Sequence, residues 1–81
     1  MRITEVDREI LSVLDVPDSF TRQKDVIEQV VANTKTGEGY AYQRIRNLTY
    51  VGLISKNRLD ETNARYLQIT PDGKELLEAI E

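Results

Sequence analysis

Ala41, Ile45 and Leu48 recur at intervals of four and three residues, Gly52 follows about one turn later, and Leu67 and Ile69 then alternate at two. This change of period, from one helical face to one face of a strand, constrains the fold more than any other feature. The chain has to pass from a helix through a turn into a hairpin. It then meets another helical pattern in Leu76, Leu77 and Ile80. With 81 residues there is material for one core, burying roughly 60% of the surface that the unfolded chain exposes.

Local signals place the remaining elements. Thr4-Glu5-Val6-Asp7 reads as a capping box, with Thr4 and Asp7 exchanging bonds across the first turn. Val6, Ile10, Leu11, Val13 and Leu14 follow, and Pro17 cannot continue the helix, so a first helix is expected over about 4–15. A second is expected over about 21–33, opening at Thr21 and burying Val26, Ile27, Val30 and Val31. Asn33 to Gly39 contains no large apolar residue and reads as a loop. The third helix is expected over about 38–51, closed by Gly52 in the left-handed conformation. Two strands flank the polar cluster Asp60-Glu61-Thr62-Asn63, which makes a hairpin of about 53–69. Thr70-Pro71 then caps a last helix over about 71–80.

The missing residue types narrow the chemistry. Without Cys or His the chain has no thiolate nucleophile, disulfide, imidazole base or soft metal ligand. The expectation is a protein that is not an enzyme and holds no cofactor or metal. Its longest apolar run is Val30-Val31-Ala32, far below the roughly 20 residues of a membrane span, so no membrane association is expected. The first residues lack the basic stretch and apolar block of a secretion signal, which predicts a cytoplasmic location. So small a domain also leaves little room for a small-molecule effector.

The net charge of −3 argues against binding nucleic acid over the whole surface, but the charge is unevenly spread. Residues 35–66 carry six basic side chains (Lys35, Arg44, Arg46, Lys56, Arg58, Arg65) against Glu38, Asp60 and Glu61. The flanking segments are each acidic by three charges, and no acid stands between Tyr40 and Arg58. A basic middle in an acidic frame suits a protein that docks one face on a polyanion.

The order of elements is that of a winged helix-turn-helix: an α+β, mostly helical domain of three helices, a two-stranded β-hairpin wing and a C-terminal helix. The ending Leu48-Thr49-Tyr50-Val51-Gly52-Leu53-Ile54 resembles the recognition-helix exit of MarR-, PadR- and ArsR-like regulators. Leu67-Gln68-Ile69-Thr70-Pro71-Asp72-Gly73-Lys74-Glu75-Leu76 is similar to the exit from the wing in the same families. The resemblance implies a transcriptional regulator, repressor-like, that binds double-stranded DNA with its third helix in the major groove. It also implies that the start of the second helix, with Arg22 and Lys24, meets a phosphate.

On a helical wheel Gln43, Arg46, Asn47 and Tyr50 lie opposite Ala41, Ile45 and Leu48, with Tyr42 at the edge. Gln43 and Asn47 have amides suited to adenine, and Arg46 has the fork suited to guanine. Arg44, Lys56, Arg58 and Arg65 join Arg22 and Lys24 as candidates for backbone and wing contacts. Asp60 and Glu61 place negative charge near the wing tip, where phosphate repels it. The wing is then held away from DNA, or its tip meets protein. The alternative function is a winged-helix protein-interaction module of a transcription, replication or viral complex, favoured by the acidic balance and the tyrosines Tyr40, Tyr42, Tyr50 and Tyr66. A homodimer on a palindromic site is expected; Leu76, Leu77 and Ile80, or the first-helix face around Leu11, are the candidates for a self-contact, with burial in the monomer core the favoured reading of both.

Overall fold

Thr4 Oγ1 accepts the amide of Asp7 at 3.1 Å, and Asp7 Oδ2 accepts the amide of Thr4 at 3.0 Å. On this reciprocal cap α1 (Glu5–Val13) begins. The computed structural model describes residues 3–16, 20–57 and 64–80. Leu14 forms the C-cap of α1, so the helix closes before the expected Asp15, and Pro17 lies outside the described residues.

The second helix opens later than its apolar stripe suggests. Thr21–Arg22 is a short strand, β1, and α2 runs over Gln23–Thr34. Arg22 sits at φ −60° and ψ 133°, an extended conformation, and its side chain makes no capping bond. The reason is tertiary. Thr21 and Arg22 pair antiparallel with Leu67 and Tyr66, and the Gln23 amide donates to the Arg65 carbonyl at 2.9 Å. Backbone groups that would stand orphaned before the helix are satisfied by a neighbouring strand instead.

Thr34 donates its hydroxyl to the Val30 carbonyl at 2.7 Å, and Lys35 takes the left-handed conformation at φ 58° to end α2. α3 follows at once over Glu38–Tyr50 with Gly37 as its N-cap. The turn therefore spans residues 35–37 rather than 33–39, and Gly39 stands inside the helix. At the other end Gly52 adopts φ 84°. Its amide donates to the Thr49 carbonyl at 3.2 Å and the Leu53 amide to the Leu48 carbonyl at 3.0 Å. These two bonds are those of a Schellman closure, which redirects the chain into β2 (Ile54–Asn57).

β2 pairs antiparallel with β3 (Tyr66–Ile69), Ile54 opposite Ile69 and Lys56 opposite Leu67. The sheet has three strands in the order β1-β3-β2, one more than the hairpin alone supplies. Thr70 then caps α4 (Pro71–Ile80): its hydroxyl accepts the Gly73 amide at 3.1 Å and donates to the Gly52 carbonyl at 2.7 Å. The exit of α3 and the start of α4 are thus tied together. A Cβ on Gly73 would collide with the Leu53 carbonyl, so α4 approaches the α3 exit at backbone distance.

The core gathers Ile10, Leu11 and Leu14 of α1, Val26 and Val30 of α2, Ala41, Ile45 and Leu48 of α3, and Ile54, Leu67 and Leu77. The buried faces of α1, α2 and α3 meet one another, and α4 packs on α1. Leu11 and Leu77 belong to this core, as the favoured reading of these two positions has it, and neither is free for a self-contact. Leu76 and Ile80 are half-buried beside it. No helix among the described residues is long and apolar enough to cross a membrane.

Candidate nucleic-acid interface

The core-facing residues of α3 fix what its other side presents. With Ala41, Ile45 and Leu48 buried, Gln43 and Arg46 are exposed, Asn47 is half-buried at the margin, and Tyr50 is 90% exposed. Tyr42 flanks this face and is exposed too. Nothing in the described chain is packed over the face. Glu38 is the acid of the first turn, and it lies about 100° round the helix from the Gln43–Arg46 direction.

Arg44 is a correction. Expected to face a phosphate, it turns inward instead: Nε and Nη2 donate to the two carboxylate oxygens of Asp7 at 2.7 Å each. Its side chain is 15% exposed and that of Asp7 is 0% exposed. This fork-to-carboxylate pairing raises the Arg44 pKa, chiefly through the hydrogen bond to Asp7 and against the effect of its burial. The sequence carried a signal for both partners. Arg44 follows Ala41 by three residues and precedes Leu48 by four, beside the apolar stripe; Asp7 precedes Ile10 and Leu11 by the same intervals. An acid and a base on two core-facing stripes need each other.

Other cations converge. Lys56 on β2 is held below the ordinary lysine range, first by burial and then by the like charges of Arg65 and Arg46. Arg46 on α3 and Arg65 at the approach to β3 thus each come within electrostatic reach of Lys56 on β2. Among the described residues the ion pairs are Arg44–Asp7 and, at 3.2 Å, Lys74–Asp15, and neither involves this cluster.

Arg22 stands apart from this cluster. It lies in register with Tyr66, and its guanidinium carbon is 5.9 Å from the Tyr66 ring centroid. Lys56 lies in register with the buried Leu67, so strand alternation puts the Arg22–Tyr66 row on the opposite face of the sheet. Lys24 is exposed in the first turn of α2. Arg58, with Asp60 and Glu61, lies outside the described residues.

Helix-turn-helix, three-stranded sheet and closing helix now stand in one order. The fold is a winged helix. A PadR family transcription regulator from hypervirulent Clostridium difficile superposes with a TM-score of 0.78 at 21% identity, covering 95% of this chain and 83% of that one. A transcriptional regulator from Clostridium thermocellum superposes with a TM-score of 0.75 at 24% identity, over 93% of this chain and 75% of its own. Neither a family model nor a curated protein matches the chain. In the winged helix, α2 and α3 form the helix-turn-helix pair and β2 with β3 the base of the wing, so the Arg46–Lys56–Arg65 cluster spans the junction between them.

Proposed function

We propose that this protein is a transcription regulator that binds double-stranded DNA, with α3 in the major groove and the base of the wing against the adjacent phosphates. The observation that carries the reading is the convergence of Arg46, Lys56 and Arg65 beside an α3 face free of acids. Holding like charges together is unfavourable in the free protein. A polyanion relieves that cost, so the cluster favours binding over solitary folding. Gln43, Arg46 and Asn47 supply amide and guanidinium groups that match base edges, and Lys56 and Arg65 supply point charges for the backbone. The similarity of fold to two transcription regulators supports the same reading.

Two copies act on a palindromic site with half-sites about one helical turn apart. We assign their contact to the apolar hollow lined by Ile3, Val51, Leu53 and Leu76, since Leu76 is a self-contact candidate that the core leaves half-buried. Sedimentation of the free protein and of its DNA complex tests this stoichiometry. The 90% exposure of Tyr50 is the observation that favours the protein-module reading. A stoichiometric protein partner that survives nuclease treatment would select it.

Fluorescence anisotropy with duplexes enriched from a random-sequence pool, at low salt, tests the leading reading. Binding should weaken on a log–log plot with a slope of about −0.9 per phosphate contacted. Failure to bind any duplex at tens of micromolar protein would overturn it.

A further inference from the structure

Of the four glycines, two have a reason inside the molecule. Gly52 takes a positive φ, and Gly73 admits the Leu53 carbonyl. Gly37 is the N-cap of α3, a position where glycine is an ordinary choice. Gly39 has none of these reasons. It lies within α3 at a negative φ, and among the described residues no atom comes within 4 Å of where its Cβ would stand. Gly39 is the second residue of α3, where an alanine Cβ has room and a better helix former would do no harm, so among the described residues nothing requires glycine there.

Its place on the helix suggests what does require it. Gly39, Gln43, Arg46 and Tyr50 are spaced by four, three and four residues and so form one stripe, the same stripe that faces away from the core. Gly39 is the N-terminal member of that stripe. Gly37 offers no side-chain cap, so the first-turn amides there are also uncovered.

We infer that Gly39 is the point of closest approach between α3 and a DNA duplex. Its bare Cα lets the first turn of the helix seat against the groove wall, which brings Gln43 and Arg46 to the depth of the base edges. Gly39 is a positioning residue: it contributes no group of its own to recognition and sets how deeply its stripe-mates reach. The inference rests on the DNA-binding reading and assigns that face its depth of entry.

The test uses the full chain, Gly39→Ala and Gly39→Gln, with a labelled duplex that the natural protein enriches from a random-sequence pool. Alanine and glutamine are both good helix formers, so the thermal midpoint should hold or rise, by up to roughly 5 °C. Affinity should fall by about tenfold for alanine and further for glutamine, since each added atom lifts the helix from the groove. A residue needed only for folding would move the midpoint and the affinity in the same direction. Affinity within about twofold of the natural protein for both variants, or a lower midpoint for Gly39→Ala, would overturn the inference while leaving DNA binding intact. If the natural protein enriches and binds no duplex, the DNA-binding reading fails and the inference falls with it.

Discussion

The guanidinium of Arg44 closes on the fully buried carboxylate of Asp7 through two bonds of 2.7 Å, and so joins α3 to α1 across 37 residues of sequence. Asp7 also holds the Thr4 amide, so a single carboxylate caps one helix and anchors another. The orientation of the face that carries Gln43 and Arg46 depends on this junction.

Removing either partner strands the other in a poorly hydrated place. Arg44→Ala should cost about 3–5 kcal/mol, comparable with the whole stability of roughly 4–12 kcal/mol expected for a chain of this size. Arg44→Lys keeps the charge but cannot make the paired bonds, so an intermediate loss is expected. Urea denaturation measures both. A midpoint unchanged in Arg44→Ala would contradict the pairing.

Arg46 and Lys56 sit in one cluster but have different tasks. Arg46→Ala should lower affinity for the preferred duplex by about 1–3 kcal/mol and relax the preference at one position. Lys56→Ala should weaken binding evenly across sequences and reduce the salt slope by about one. Competition binding across a set of single-base variants separates the two patterns.

The crowding of Lys56 also makes a statement about pH. Its pKa lies below the ordinary lysine value, so in the alkaline window between the two values the unfolded chain binds more proton than the folded one. Stability contributed by this group therefore rises as pH increases through that window. NMR titration of the Lys56 ammonium should show the lowered pKa in the free protein and a higher one once a phosphate-bearing duplex is added. A value unmoved by a bound duplex would separate Lys56 from the interface.

The two structurally required glycines should respond opposite to Gly39. Gly52→Ala places a side chain at φ 84° and should cost roughly 1–2 kcal/mol. Gly73→Ala drives a methyl group into the Leu53 carbonyl and should cost about 3 kcal/mol, since α4 has to move away from the α3 exit. Thermal unfolding followed by circular dichroism would report both losses.

Much of the molecule was legible residue by residue. The capping box at Thr4 and Asp7, the left-handed Gly52 and the cap at Thr70 all concern groups within a few residues of each other, where sequence spacing is also spatial proximity. The outward face of α3 was legible for the same reason, because Ala41, Ile45 and Leu48 choose the buried side and leave Gln43 and Arg46 opposite. α2 starts two residues later than its local pattern predicts because Thr21 and Arg22 pair with Leu67 and Tyr66, which sequence spacing does not bring near them. Arg44 pairs with Asp7 rather than a phosphate because its position beside the apolar stripe turns it toward α1, a partner 37 residues away in sequence.

By itself, then, the sequence determined the cap of α1, the closure of α3 at Gly52, the cap of α4 and the side of α3 turned to water, all set by bonds and steric rules acting over one or two turns. Only the tertiary structure decided that Arg44 goes to Asp7, that a third strand completes the sheet, and that Arg46, Lys56 and Arg65 come together while Arg22 stands on the other face. Those outcomes depend on how separate elements pack, and electrostatic and backbone pairing across such distances exists only once a shared core has brought the elements together.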